Sequence, residues 1–441
     1  MGEEGGDLRT HCSARLHHFP TKERYVPKKS LASHFIRRTL LGILASVGAV
    51  SLLALLGSNT AYGSPSGTAI AKVTGTPVPV GIITDAGAGV TLATGPLVET
   101  GAKMAVSYFN QNGGLAGKPI KLFICENQET PAGGQVCANE MVQDKVVAVV
   151  LPFTGQGASE VPTITAAGIP YVALSGESTQ ELTTANAFAL TGGFPGALAT
   201  DAMDSKTKGF KKFAMLTSNV PTAIQGAQVL GGMVFKNAGV AFKVIPVAVG
   251  TADMTPQLQS AVSWGASAIG ITGDLTQCTA FLKGYQTLAL TLPKYLISTC
   301  IDKSLFPSLG SVVKGSLLPT DSAAGPAESK IYAKMTKYAR GVNPNPNVSA
   351  NQAQGAASVW ALVNAMKGYT GPVTAAAVIN QLQTTKNVPI PLSGGLTFTC
   401  NGTAVPILKS VCSVQTKLGV LTSTGKLTNL KTYNPAALFK S

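Results

Sequence analysis

Beyond Gly63 the chain has no histidine. All four, His11, His17, His18 and His34, fall in the first 63 of 441 residues. The remainder lacks the commonest general base near neutral pH and the commonest metal ligand. Arginine is nearly missing too, with Arg340 alone after residue 63. Guanine edges and phosphate forks are read mainly by arginine, so nucleic acid is not the expected partner. No two cysteines have CxxC spacing, which argues against zinc. Gly192-Gly193 lacks the spacing of a phosphate cradle. No enzyme, cofactor or metal is expected. Charged residues are only 12% against 45% hydrophobic, the balance of a globular core and not of a disordered chain.

Six cysteines follow residue 63, in three short-range pairs: Cys125/Cys137, Cys278/Cys300 and Cys400/Cys412. An even, locally spaced set suggests disulfides and an oxidising compartment. Local closure is the simplest connectivity. The formal charge is +14, of which residues 1–63 carry +4. The excess in the body is scattered lysine, which reads as a solvated surface.

Lys28, Lys29, Arg37 and Arg38 precede an apolar run from Thr39 to Gly57, followed by small residues at Ala61 and Gly63. This is the pattern of an export signal cut after Gly63. The run is also about as long as a membrane span, so an uncleaved anchor is the alternative. Either way the body lies outside the cytoplasmic membrane, in the periplasm or on its outer face. Membrane association is expected only through this segment.

Residues 64–75 form a small-residue linker. Strands and helices then alternate. Val78–Ile83, Ile120–Ile124, Val146–Leu151 and Ile169–Leu174 read as buried strands, separated by helices over Leu97–Asn112, Ala132–Lys145 and Ala158–Ala167. The pattern restarts at Phe213–Leu216 and runs through strands at Phe242–Val249, Ala268–Thr272 and Lys294–Ser298. Helical stretches follow to Gln383, and the tail from Gly395 reads as hairpins. The fold class is α/β, two doubly wound parallel sheets in series.

Five stretches carry a family resemblance: Val80-Gly-Ile-Ile-Thr-Asp-Ala-Gly87, Glu99–Val106 with Phe109–Leu122, Glu126-Asn-Gln-Glu-Thr-Pro131, Ala148–Pro152 with Gly168–Val172, and Ser178–Thr183. In order and spacing they resemble the periplasmic-binding-protein family, typified by the leucine/isoleucine/valine-binding proteins of ABC importers. The resemblance implies two lobes joined by three hinge crossings, near Thr191–Pro195, Leu318–Ser322 and Val388–Gly394, with ligand in the cleft between them. Lobe 1 would comprise 76–193 plus 322–390, and lobe 2 194–321 plus 391–441. The implied function is capture of a small polar metabolite, an amino acid or related amide or carboxylate, and delivery to an ABC permease. A membrane-tethered sensor of the same fold is the alternative.

The resemblance also implies site residues. Phe153, Thr154 and Gly155 fall where the family grips a ligand carboxylate, although Thr154 also suits a helix N-cap. Gly176 and Ser178 fall in the second carboxylate loop. Glu177 departs from the family's small residue and is either a solvated loop carboxylate or a group that reads the ligand. Thr94 takes the place of a tyrosine. In lobe 2, Asn219 stands where Asp-Tyr-Gly is common, and Asp274 and Asp302 are candidates for the acid that receives an ammonium. Removing the Ser178 hydroxyl is expected to weaken binding and to leave folding almost unchanged.

Overall fold

The computed structural model describes residues 73–87 and 95–440. The export segment, most of the linker and Thr94 lie outside them. Among the described residues no helix is long and apolar enough to cross a membrane.

Strands β1 (Val78–Thr84), β2 (Ile120–Glu126), β3 (Val149–Leu151), β4 (Tyr171–Ala173) and β5 (Ala187–Ala189) form a parallel sheet in the order β2-β1-β3-β4-β5. Between them lie α1 (Gly95–Phe109), α2 (Pro131–Gln143), α3 (Gly157–Ala166) and α4 (Thr179–Thr183). Side chains alternate along β1. Val78, Val80 and Ile82 join one core, Ile83 the other, and both faces are buried. That explains the near-continuous apolar run of this strand.

After α5 (Gly193–Thr207) a second sheet begins, with β6 (Lys212–Ser218), β7 (Ala241–Val247), β8 (Ala268–Thr272), β9 (Lys294–Tyr295) and β10 (Leu317–Thr320). Its helices are α6 (Pro221–Gly226), α7 (Gly232–Ala238), α8 (Thr255–Ser263), α9 (Leu275–Thr287) and α10 (Phe306–Val313), with a π-helical turn at Ala227–Gly231 joining α6 to α7. Gly226, Gly231 and Gly232 all keep right-handed helical angles, so the three pieces run on as one helix that widens at the π turn.

The chain then returns to the first core through α11 (Pro326–Met335), α12 (Ala350–Ala365) and α13 (Ala375–Thr384), and a short antiparallel pair, β11 (Val388–Pro389) and β12 (Thr397–Phe398). It ends as β13 (Thr416–Leu421) and β14 (Leu427–Tyr433), which extend the second sheet to β14-β13-β10-β9-β8-β6-β7. The expected second lobe takes in residues from 391 onward, yet Leu392, Leu396, Phe398, Cys400 and Cys412 pack in the first core. The β11–β12 pairing and the Cys400–Cys412 bridge hold them there.

The three disulfides are Cys125–Cys137, Cys278–Cys300 and Cys400–Cys412, with Cα separations of 5.4, 5.1 and 4.2 Å. The first ties β2 to α2. The second ties α9 to a 3-10 turn at Ser298–Cys300.

Candidate functional site

In each sheet the order of strands reverses beside the first strand of its unit, β1 or β6. Ligands of open parallel sheets sit beyond the carboxyl ends at such a point. The residues just past β1, β2 and β3 include Asp85, Asn127 and Thr154, and they meet there.

Thr154 is buried, and its hydroxyl donates to Asp85 Oδ1 at 2.7 Å. The Asn127 amide donates to the same oxygen at 2.7 Å and to Glu160 Oε1 at 3.0 Å. The backbone N–H of Gly155 donates to Asp85 Oδ2 at 3.1 Å. Deeper in, the Tyr171 hydroxyl lies 3.1 Å from Glu160 Oε2 and 3.2 Å from Glu181 Oε1. One phenol proton serves two acceptors. Burial pushes Glu160 up to about 7, against the pull of the Asn127 and Tyr171 hydrogen bonds. Burial raises Glu181 as well, and drives Tyr171 far above its ordinary range. With its pKa raised, Glu160 holds a proton more readily than an exposed carboxylate, and such a proton would supply the hydrogen that the pair of carboxyls otherwise lacks.

Glu181 Oε2 accepts from the N–H groups of Glu177 and Ser178 at 3.0 and 2.9 Å, and from the Ser178 hydroxyl at 2.8 Å. Ser178 is the N-cap of α4, and Glu181 closes its capping box. Gly157 makes room for this carboxyl, since a Cβ there would stand 2.2 Å from the Glu181 carboxyl carbon. Glu177 is exposed, yet desolvation in its crowded loop and the charges of Glu181 and Asp85 push it up to about 7. Gly176 is buried against Glu181 and Leu182.

The donors expected to hold a ligand carboxylate therefore already have acceptors inside the protein. Thr154 and Gly155 serve Asp85, and Ser178 serves Glu181. The sequence named the donors but not Asp85, Asn127, Glu160, Tyr171 or Glu181. The available signal was position: Asp85 and Asn127 each directly follow the last residue of a parallel strand. Among the described residues no group of acidic or sulfur ligands is arranged to hold a metal ion.

The second lobe's candidates are also used locally. Asp274 caps α9, accepting from Gln277 N at 2.8 Å in a capping box. Asp302 accepts from the N–H and hydroxyl of Ser304 at 2.8 and 2.6 Å, which holds its carboxyl below the usual range. Each carboxylate thus has a local role, and it accepts there through one of its two oxygens. Asn219 is exposed past β6, with its N–H bound to Val247 O at 2.7 Å.

Phe153 has a different setting. With Ser175, Thr191, Asp321 and Gln354 it lines a cavity of about 40 Å³. The cavity lies where the chain passes after β5 and after β10, and Ile390–Leu392 closes another side. A larger concavity of about 410 Å³, beside Asn186 and Lys409, opens near the amino end of β5. That is the end at which open parallel sheets do not hold ligands.

The family described as periplasmic binding protein matches residues 77–407. No curated protein sequence matches the chain. Among solved structures, the leucine-binding protein LivK of Thermotoga maritima is similar at 17% identity and TM-score 0.62, over 81% of this chain and 99% of that one. The branched-chain amino acid substrate-binding protein LivJ of Streptococcus pneumoniae, in complex with isoleucine, is similar at 16% identity and TM-score 0.61, over 82% and 100%. A solute-binding protein of an ABC transporter from R. palustris, in complex with 4-hydroxybenzoate, is similar at 17% identity and TM-score 0.61, over 81% and 97%.

Proposed function

Because the chain belongs to the periplasmic binding protein family, we propose that it is an extracytoplasmic solute receptor that captures a small polar metabolite and delivers it to an ABC permease. The family and fold are those of substrate-binding proteins, not of enzymes. The observation that carries the proposal is the pair of doubly wound sheets with parallel cores, whose connecting segments line a shared cavity. Two such units joined by several passages form a hinge that closes on a ligand. The export pattern before Gly63 and the three disulfides support a location outside the cytoplasm. The isoleucine and 4-hydroxybenzoate of the similar proteins are both small molecules that carry a carboxylate. In this chain the ligand is read by groups other than the Thr154, Gly155 and Ser178 donors, which already have internal acceptors.

The test is a thermal-shift screen of the full chain against amino acids, amides, urea, short peptides and aromatic acids, with small-angle scattering on each hit. A ligand that raises Tm should also reduce the radius of gyration as the lobes close. Binding without compaction, or no stabilising ligand in any class, would count against the reading.

A further inference from the structure

The chain has two Asn-Gly dipeptides, Asn112-Gly113 and Asn401-Gly402. Glycine lets its backbone nitrogen approach closely, because no Cβ stands in the way. An asparagine amide carbon is then within reach of the next nitrogen along the chain. The fold treats the two pairs differently. Asn112 is half-buried just past α1, and its amide donates to Tyr108 O at 2.7 Å. That bond ties the amide back to the preceding helical turn. Asn401 is exposed, in the loop that the Cys400–Cys412 bridge closes. Its Oδ1 accepts from the N–H and the hydroxyl of Thr403 at 3.1 and 2.6 Å. Among the described residues nothing accepts from the Asn401 amide nitrogen or from the Gly402 N–H. Gly402 has a φ of +71°, and a Cβ there would come no nearer than 3.7 Å to Lys409 O, so its surroundings are open.

We propose that Asn401 is a self-modification site, at which the Gly402 nitrogen closes on the Asn401 side chain and water completes its conversion to aspartate and isoaspartate. The Gly402 nitrogen bonds to Cγ of Asn401 as the Cγ–Nδ2 bond breaks. The proton lost from the Gly402 nitrogen leaves with Nδ2 as ammonia, and a succinimide remains. Both Thr403 donors already point at Oδ1, where negative charge develops during the attack, and they stabilise it there. Water then opens the ring. Cleavage at the side-chain carbonyl gives aspartate, and cleavage at the backbone carbonyl gives isoaspartate. No oxidant or reductant enters the balance. The product adds a carboxylate to the concavity of about 410 Å³ that Asn401 lines, where Lys409 is the charged side chain and no acid stands. Asn401 does not line the hinge cavity, so the inference is independent of the receptor reading. Asn401-Gly402-Thr403 is also an acceptor pattern for N-linked sugar in exported proteins, and a sugar on Nδ2 would block ring closure.

The test holds the full, disulfide-intact chain in mildly alkaline buffer and maps its peptides by mass at intervals, with isoaspartate read by fragmentation. Asn401 should convert many-fold faster than Asn112, with isoaspartate among the products. In urea with the bridges reduced, the two positions should draw level, because only the fold separates them. Thr403→Val keeps the branched shape at an exposed position and should slow the conversion several-fold. Ligand capture by the converted protein should match that of the fresh protein. Equal rates at both positions in the folded chain would overturn the assignment. So would aspartate without isoaspartate, an unchanged rate in Thr403→Val, or a sugar found on Asn401 of the native protein.

Discussion

Thr154 donates its hydroxyl to Asp85 at 2.7 Å across 69 residues of sequence. This bond joins the loop after β3 to the end of β1, at the strand-order reversal of the first sheet. A residue expected to face the ligand thereby becomes part of the wall that shapes the cleft. Thr154→Val keeps the volume and removes the bridge among Asp85, Asn127 and Gln156 N. The expected loss is about 1–3 kcal/mol of stability, because buried polar partners lose a hydrogen bond. Urea unfolding of variant and wild type measures it.

Ser178→Ala now carries a stability effect that the sequence did not foresee. The hydroxyl caps α4 and also donates to Glu181. Loss of an N-cap serine costs about 1 kcal/mol. A lowered urea midpoint is expected, and an unchanged midpoint would refute the capping role.

Glu160 predicts a pH dependence. Its folded-state pKa of about 7 lies above the ordinary 4.5. The folded chain holds this proton more tightly than the unfolded chain. Its contribution is fully present below about pH 4.5 and is lost as pH rises through 7. Glu160→Gln fixes the neutral form, with the amide donating toward Tyr171 and accepting from Asn127. Between pH 5 and pH 8 the stability difference should move in favour of the variant by roughly 2–3 kcal/mol. Parallel profiles for the two proteins would contradict the raised pKa.

Gly101 and Gly355 set the approach of α1 to α12. A Cβ on Gly101 would stand 1.9 Å from Gln352 O, and one on Gly355 2.0 Å from Val98 O. Both obstacles are backbone and cannot rotate away. Gly355→Ala gains about 1 kcal/mol of helix propensity. It should still destabilise the protein by a net ~1–3 kcal/mol, because the helices must separate. Since Ala353, Gln354 and Ala357 of α12 line the hinge cavity, thermal melts should show a lower Tm together with weaker binding of any cleft ligand.

Reduction should expose the same dependence on covalent closure. Each of the three bridges closes a loop of 12 or 22 residues, for which about 3 kcal/mol per bridge is typical. Non-reducing peptide maps should return three local pairs, and a reductant should lower Tm. Free thiols in the native protein would exclude the bridges.

The sequence by itself determined the alternation of strands and helices and the pairing of cysteines. Both are local matters. Apolar runs of five or six residues between helical stretches mark buried strands, and each of the six cysteines after residue 63 has its partner within 22 positions. The loops of the first lobe were placed correctly at the ends of strands. Their chemistry was not legible, because a serine before Thr-Gln-Glu looks alike whether it binds ligand or caps a helix. Only the tertiary structure decided that Asp85 occupies the Thr154 and Gly155 donors and that Glu181 fills the space Gly157 leaves. The same holds for Asp321 and Gln354, which line one cavity although α11 and the turns after it lie between them in sequence. Hydrogen bonds and desolvation act over a few ångströms of space, and distance along the chain does not encode that.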